Sequence, residues 1–311
     1  MNPASPSPLI PRRNFLATLG GVGALSLLAR ETLAADEPAA PAPARRKGRI
    51  KQGVCTGVFR GLNLTDDEMC RELVKLGGHG IDLQAPEKFA VLKKHGLTCA
   101  MVTFPTGKTP QGVVVGTIQK SFNRLEHHDT LVEIYSKRIE ETADAGFTNL
   151  ICFPGSREKL DDQQGIENCA IGLKRLMPLA EKRKVTICME LLNSKVNHKD
   201  YQCDHTAWGV ELCKHVGSER FKLLYDIYHM QIMEGDIIRT IRENIAYIAH
   251  FHTAGNPGRN EFDDTQEMNY TGICKAIADL GYQGYLSHEY SPSKGKDPLA
   301  TLDQMMRLCE V

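Results

Sequence analysis

Several features that would mark common functions are missing from this 311-residue chain. Lysine and arginine together balance aspartate and glutamate, so the formal net charge is zero, and no basic run is suited to binding nucleic acid. No two cysteines have CxxC spacing, which argues against a cysteine-ligated metal site. No Gly-x-Gly-x-x-Gly follows the first predicted strand, which argues against a dinucleotide-binding domain. We therefore expect a small molecule as partner.

The first 35 residues have the organisation of an export signal. Paired arginines, Arg12 and Arg13, precede an apolar stretch at 16–29, and small residues follow at 34–35. The stretch is shorter than the roughly 20 apolar residues of a membrane span. We therefore expect residues 1–35 to be a Tat-type signal peptide, either cleaved or kept as an anchor, that exports the protein to the periplasm or cell envelope. We expect no stable membrane span in the mature protein.

The rest of the chain divides into a linker and one long domain. Residues 36–48 are rich in proline and alanine and then basic, which suits an extended linker. From residue 49 onward, short apolar runs alternate with segments of helical apolar spacing, eight times in all. Eight such units predict a single α/β domain over 49–311, a closed (β/α)8 TIM barrel. The sequence leaves open whether the barrel forms a homo-oligomer.

Some elements of this barrel can be predicted in detail. Thr65, followed three residues later by a glutamate, predicts the N-cap of the first helix. The third strand is expected at 97–103, and one long helix at 163–182 despite Pro178. The glycine-rich segment 105–122 has no strong period, so we expect a loop over the catalytic face. The ten cysteines are scattered through predicted strands and helices, which predicts buried thiols.

Four predicted strands in the second half of the chain end in an acidic or imidazole side chain: Glu190, Asp226, His252 and Glu289. In a parallel barrel the carboxyl ends of all strands meet on one face, so these side chains are expected to gather. Carboxylates and a neutral imidazole suit one divalent ion, Mn²⁺, Mg²⁺, Co²⁺ or Zn²⁺. An acidic residue after a strand is often only a helix N-cap, but four in succession favour a metal site.

Two further histidines lie close to these positions. We expect His250 and His252 to point to opposite sides of their strand, so that only one faces the barrel mouth, and we assign the ligand to His252. His229 is expected in the loop after Asp226, where it can hydrogen-bond a substrate oxygen. A surface or core histidine fits His229 nearly as well.

The four residues also suggest a reaction. A divalent ion that chelates neighbouring hydroxyl and carbonyl oxygens lowers the cost of removing the adjacent carbon-bound proton. Glu190 and Glu289, on the fifth and eighth strands, are expected on opposite faces of the substrate, where one removes a proton and the other returns it. This arrangement is typical of an isomerase or epimerase that works through an enediolate.

The motifs around these residues resemble those of a known superfamily. Asp226-Ile-Tyr-His-Met-Gln231 looks like the Asp-x-Tyr-His-Met motif of hydroxypyruvate isomerases and ketose 3-epimerases, members of the xylose isomerase-like barrel superfamily. Three other segments are similar to motifs of the same group: Met189-Glu-Leu-Leu-Asn193, the segment 250–259 with Pro-Gly-Arg followed by Glu267-Met-Asn-Tyr270, and Glu289-Tyr290. The resemblance covers about residues 49–310.

The resemblance implies roles for particular residues. It places the metal ligands on Glu190, Asp226, His252 and Glu289, with Glu190 and Glu289 also as the acid/base pair. It places substrate contacts on His229 and Arg259. The guanidinium of Arg259 can donate two parallel hydrogen bonds, which suits a carboxylate or hydroxyl-rich ligand. The alternative role for Arg259 is a salt bridge that tethers a loop. Hydroxypyruvate isomerases tend to carry Gln where this chain has His252, and sugar epimerases carry His, so both a small hydroxy-keto acid and a sugar stay open as substrates.

Other functions also fit this pattern. The same metal can serve a sugar lyase or hydrolase, in dehydration of a keto-inositol or cleavage of a 3-keto-glycoside. A three-zinc phosphodiesterase fits less well, because it needs more histidines at strand ends and a basic groove. A non-catalytic sugar-binding barrel is the contrasting class, but it would be expected to have lost a ligand.

Overall fold

The computed structural model describes residues 46–311. The expected signal peptide, residues 1–35, and most of the expected linker, residues 36–48, lie outside this range. At the end of that linker, the Arg46 guanidinium pairs with Asp303 and Glu310 and donates a hydrogen bond to the Leu76 carbonyl at 2.8 Å. None of the helices described between residues 46 and 311 combines the length and the apolar character needed to cross a membrane.

Strands and helices alternate along the described chain, as the sequence predicts. The strands are β1 (Lys51–Cys55), β2 (Gly80–Asp82), β3 (Gly107–Lys108), β4 (Val114–Val115), β5 (Asn149–Cys152), β6 (Thr186–Leu191), β7 (Phe221–Asp226), β8 (Ile248–Thr253) and β9 (Tyr285–His288). The α-helices are α1 (Asp66–Lys75), α2 (Phe89–Lys94), α3 (His128–Asp144), α4 (Asp162–Lys174), α5 (Met177–Arg183), α6 (Thr206–Val216), α7 (Ile227–Met233), α8 (Ile237–Asn244), α9 (Tyr270–Asp279) and α10 (Pro298–Leu308).

Seven strands form one curled parallel sheet in the order β2-β1-β9-β8-β7-β6-β5. The gap between β2 and β5 is filled by residues 98–102, which form isolated parallel bridges from Thr98 to Gly80 and from Val102 to Gln84 and Leu150. The fold is therefore TIM-barrel-like. The barrel strands are short and apolar because they are covered on both sides, and all six residues of β6 are buried.

The third expected strand, 97–103, is present only as these bridges. The N–H of Met101 donates to the Asp82 carboxylate at 3.1 Å instead of to a neighbouring strand. A side chain therefore replaces one rung of the ladder, and no regular strand forms at this point. Alternation of apolar residues predicts the position of such a segment but not this side-chain substitution.

The helices confirm some expectations and correct others. Thr65 and Glu68 form the predicted capping box at α1. The single long helix expected over 163–182 is wrong: α4 ends at Lys174 and α5 begins at Met177, with Pro178 in its first turn. Proline lacks an N–H and its ring clashes with the preceding turn, so it is tolerated at a helix start but not inside a helix. The ten cysteines are all buried and free, as expected.

The segment 105–122 is more ordered than a plain loop. Strands β3 and β4 pair antiparallel within it, with Gly107 opposite Val115. Gly116, directly after β4, has φ +84°, and a Cβ there would lie 2.2 Å from the Pro105 carbonyl oxygen. Only glycine fits this close approach. That the segment covers the catalytic face stays a prediction.

Candidate metal centre

The carboxyl ends of β6, β7, β8 and β9 bring the four predicted side chains together. Each neighbouring pair of these strands is in parallel register, and Asp226 lies directly opposite His252. One ligand atom from each of Glu190, Asp226, His252 and Glu289 lies within 4.8 Å of the others. We call these four residues the mouth cluster. Their role as metal ligands stays a prediction, but the proximity that it requires is present.

Within the mouth cluster, Nδ1 of His252 is the imidazole atom that faces the carboxylates. It lies 2.9 Å from Oε2 of Glu289 and 3.7 Å from Oε1 of Glu190. Glu190, Asp226 and His252 are buried, whereas the side chain of Glu289 keeps 24% of its surface exposed. The cluster is therefore reached from solvent on the side of Glu289.

Arg259 supplies positive charge to the mouth cluster. Its Nη2 lies 2.9 Å from Oε2 of Glu289 and 3.4 Å from Oδ2 of Asp226, and its guanidinium lies 5.4 Å from the centre of the Tyr228 ring. Its Nε is buried and has no hydrogen-bond partner within residues 46–311. Arg259 therefore lies at the centre, and its salt bridges also connect the segment after β8 to the strand ends. Its contact with a substrate stays a prediction.

His229 lies on helix α7 and not in the loop that the sequence predicts. It is fully buried because α7 begins directly after β7, where the Asp226 carboxylate caps the helix by accepting the His229 N–H at 3.2 Å. The backbone N–H of Asn193 donates to Nδ1 of His229 at 3.1 Å, so the ring proton is on Nε2. Nε2 lies 3.7 Å from Asp226 Oδ2 and makes no hydrogen bond in the described part of the chain.

Burial gives His229 a fixed protonation state. Burial, and then the charge of Arg259, hold the pKa of His229 well below its usual range. The imidazole is therefore neutral, with a free N–H at Nε2 beside the mouth cluster. Such a group can donate a hydrogen bond to a substrate oxygen without adding a charge.

The two glutamates of the mouth cluster have opposite electrostatic environments. Burial raises the pKa of Glu190 to about 7, against the lowering effect of His252. Burial also acts on Glu289, but the charges of Arg259 and His252 outweigh it and lower the pKa of Glu289 to about 2. Burial raises the pKa of Asp226 to about 6. Two carboxyls whose pKa values are pushed apart are suited to act as an acid/base pair.

The donor set of the mouth cluster fits a divalent ion. Three carboxylates and one imidazole nitrogen are the ligand types preferred by Mn²⁺, Mg²⁺, Co²⁺ and Zn²⁺. Buried carboxylates at this separation repel one another, and charges inside a protein are normally paired or bound to a metal. Arg259 pairs with two of the three carboxyl groups, Asp226 and Glu289, and a divalent ion would be bound by the same oxygen atoms.

The expectation that His250 and His252 point to opposite sides of their strand is wrong. Side chains two residues apart on a strand point to the same side. Both rings are fully buried, and their centroids lie 5.0 Å apart. His250 lies one layer deeper in the barrel, with Nε2 2.6 Å from Oδ2 of Asp82. The mouth cluster contains His252, as expected, and His250 lies beneath it.

Sequence reasoning missed Asp82. This carboxylate is fully buried and lies within ion-pair distance of both His250 and His252. Asp82 ends the short strand β2, which is the same pattern of an acidic residue at a strand end that marked the other carboxylates. The same pattern of an acidic residue at a strand end, searched for in the first half of the chain, identifies Asp82 as a candidate.

Comparison with solved structures shows the same fold in other proteins. An AP endonuclease, family 2, from Brucella melitensis superimposes with a TM-score of 0.70 at 22% identity, over 83% of this chain and 98% of that one. A D-psicose 3-epimerase from Clostridium cellulolyticum H10, solved with D-tagatose, gives 0.68 at 18% identity, over 84% and 100%. At these identities the likeness shows the fold alone, which is that of a TIM-barrel protein.

The family follows from the sequence match. Residues 77–310 match the model of the xylose isomerase-like TIM barrel family, and the chain belongs to that family. It is similar to a 2-oxo-tetronate isomerase of Cupriavidus necator, 35% identical over 37% of this chain and 44% of that one. It is also similar to the hydroxypyruvate isomerase of Escherichia coli, 38% identical over 33% and 40%. The matched segments span less than half of the length of either relative.

Proposed function

We propose that the protein is a divalent-metal-dependent isomerase or epimerase that acts on a small hydroxy-keto acid or sugar by proton transfer through an enediolate. The observation that carries the proposal is the mouth cluster, in which four side chains distant in sequence present ligand atoms within 4.8 Å of one another. The names of the related isomerases support the same class of reaction.

The side chains of the mouth cluster would hold one ion, Mn²⁺, Mg²⁺, Co²⁺ or Zn²⁺, which when bound polarises the substrate carbonyl as a Lewis acid. Glu190 and Glu289 then divide the proton transfer between them. One carboxylate takes the proton from the carbon next to the carbonyl, and the other carboxyl delivers a proton to complete the product. In this proposal the substrate lies between Glu190 on β6 and Glu289 after β9.

His229 and Arg259 would bind and orient the substrate. The free Nε2–H of His229 is a neutral donor for a substrate hydroxyl or carbonyl oxygen. Arg259 is now paired with Asp226 and Glu289. Its guanidinium can also donate hydrogen bonds to a substrate carboxylate. Both a hydroxy-keto acid and a sugar offer oxygen atoms that would accept hydrogen bonds from Arg259 and His229.

The test is a substrate screen in heavy water. Metal-free protein is reloaded with Mg²⁺ or Mn²⁺ and mixed with pooled hydroxy-keto acids and sugars; the ion is removed before NMR. Deuterium incorporation next to a carbonyl, with an isomeric product of unchanged heavy-atom composition, supports the proposal. Loss of water or cleavage indicates a lyase or hydrolase on the same site. Metal binding without turnover of any substrate indicates a binding protein.

We also propose that the protein is exported by the Tat route to the periplasm or cell envelope. The proposal rests on the paired arginines Arg12 and Arg13 before the apolar stretch 16–29. Fractionation of cells that express the tagged full-length chain tests it. The double substitution Arg12→Lys and Arg13→Lys should retain the protein in the cytoplasm, and an unchanged distribution would contradict export by this route.

A further inference from the structure

A second polar group lies inside the barrel, directly beneath the mouth cluster. It consists of Asp82 at the end of β2 and of His250 and His252 on β8, and all three are fully buried. Oδ1 of Asp82 accepts the Met101 N–H at 3.1 Å, which fixes the orientation of the carboxylate. Oδ2 lies 2.6 Å from Nε2 of His250 and 3.6 Å from Nε2 of His252. The carboxylate is thus held between two imidazoles.

This arrangement bears on which nitrogen of His252 is free to bind a metal. Nδ1 faces the carboxylates of the mouth cluster, so it can be a ligand only if the ring proton is on Nε2. In the described part of the chain, Nε2 faces the Asp82 carboxylate and, at 3.9 Å, the thiol of Cys55. A carboxylate is a much stronger acceptor than a thiol. Asp82 is therefore the group that favours a proton on Nε2.

Stability alone does not account for these buried groups. A carboxylate and imidazoles in the interior carry a desolvation cost, and well-packed apolar residues of similar volume would be as stable or more so. Both nitrogens of His250 and Oδ2 of Asp82 also lack a well-aligned hydrogen bond within residues 46–311. The group shares only His252 with the mouth cluster, since neither Asp82 nor His250 is among the four residues that converge there.

We propose that Asp82 is a positioning residue that holds the ring proton of His252 on Nε2. The lone pair on Nδ1 of His252 then faces the mouth cluster. His250, whose Nε2 contacts the Asp82 carboxylate, helps to hold Asp82 in place. This inference rests on the proposed metal centre. Carboxylates that accept the second N–H of a metal-bound histidine orient the ring and strengthen the ligand, and their loss typically weakens metal binding by roughly 10- to 100-fold.

The substitution Asp82→Asn separates this role from a packing role. Asparagine has the same shape, and its oxygen can still accept the Met101 N–H. Its amide nitrogen then takes the place of Oδ2 and can only donate, so the Nε2–H of His252 loses its carboxylate acceptor. We expect calorimetric titration of the metal-free variant with Mn²⁺ to show binding weaker by roughly 10- to 100-fold, with an unchanged circular dichroism spectrum.

Ser287→Ala is the matched control. Ser287 lies on β9 opposite His252 in the strand register and is fully buried, and its hydroxyl has no hydrogen-bond partner within residues 46–311. This substitution removes a buried polar atom beside His252 without changing which ring nitrogen of His252 carries the proton. Its Mn²⁺ affinity should equal that of the unsubstituted protein. An equal loss in both variants would mean general disturbance of the barrel and would overturn the positioning role.

The tautomer can be read directly by ¹⁵N NMR of the histidine rings in the unsubstituted protein loaded with diamagnetic Zn²⁺, which keeps the test valid if Asp82→Asn does not fold. We expect His252 to be unprotonated at Nδ1 and protonated at Nε2, with the Nε2–H proton shifted downfield as in donation to a carboxylate. A proton on Nδ1, or Mn²⁺ binding by Asp82→Asn as tight as in the parent, would overturn the inference and leave the proposed function standing. Absence of divalent-ion binding by the parent would overturn both.

Discussion

The two halves of the barrel differ in what stands at the carboxyl ends of their strands. In the second half, β6 to β9 bring an acidic or imidazole side chain each to the mouth cluster. In the first half, β1 and β5 end in the buried thiols Cys55 and Cys152, and β2 ends in Asp82, which contacts His250 and His252 from below. One half therefore carries the proposed chemistry, and the other packs against it and orients it.

This difference shows how one topology serves two purposes. Parallel strands place all their carboxyl ends on one face, whatever residues stand there. A buried carboxylate at such an end is costly unless it has a partner, whereas a buried thiol behaves as a small apolar group. The residue type at each strand end, and not the backbone, therefore decides which part of the rim can bind a metal.

The largest expected effect comes from removing the acid/base pair. Glu190→Gln and Glu289→Gln should each lower solvent exchange of the carbon-bound substrate proton by at least roughly 10²- to 10⁴-fold, because each loses a proton-transfer group and a metal ligand. Deuterium incorporation in heavy water, measured by NMR, checks this. Cys152→Ala, at a strand end of the first half, is the control and should retain exchange. Comparable losses in all three variants would break the contrast between the halves.

The next effect concerns Arg259. Its substitution by Gln removes a charged donor of a kind worth about 1.5–3 kcal/mol, so KM for a carboxylate substrate should rise by roughly 10- to 100-fold. Arg259→Lys should recover only part of this loss, since lysine cannot donate two parallel hydrogen bonds. Steady-state kinetics of both variants check the prediction. A KM unchanged in Arg259→Gln would place the substrate carboxylate elsewhere.

The third prediction is a pH dependence of metal affinity. Burial raises the pKa of Glu190 to about 7 and that of Asp226 to about 6 in the metal-free protein. A metal must displace these protons at low pH, so affinity should rise between pH 5 and 8, by up to about tenfold per pH unit for each carboxyl below its pKa. Titrations with Mg²⁺ across this range test it. An affinity that falls or stays flat would contradict the sign.

The smallest effect lies in the first half. Thr65 caps α1 through a capping box whose loss should cost about 1 kcal/mol of stability, a fall in Tm of roughly 2–4 °C in a domain of this size. Calorimetry of Thr65→Ala measures the change, and Thr65→Ser should restore the cap. Metal affinity should not change in either variant. A loss of metal binding in Thr65→Ala would show that the two halves are coupled more tightly than described.

The second half could be predicted well from the sequence because its signals are local. Each apolar run ends in an acidic or imidazole residue, and parallel topology brings those ends together, so the sequence predicts that Glu190, Asp226, His252 and Glu289 gather. The first half is harder to predict because its main interaction joins residues distant in sequence. The Asp82 carboxylate accepts a hydrogen bond from the Met101 N–H, which interrupts the strand pairing at the third strand position.

Other differences between expectation and structure are local. Side chains two residues apart on a strand share a side, so His250 and His252 lie on the same side of β8. The missing N–H and bulky ring of Pro178 favour a break and a new helix start. The short helix α7 has too few residues for a clear period, so the sequence predicts a loop at His229. The Asp226 carboxylate caps this helix and His229 is fully buried on it, and sequence spacing alone reveals neither feature.

One titration tests the central claim most directly. Metal-free protein and its Asp226→Asn variant are titrated with Mn²⁺ in a calorimeter, with Cys152→Ala as the control. We predict saturation at one ion per chain in the parent and in the control. Asp226→Asn should lose this binding, because the substitution replaces a charged ligand of the mouth cluster by an uncharged amide. Absence of Mn²⁺ binding in the parent, or equal binding in Asp226→Asn, would contradict the account.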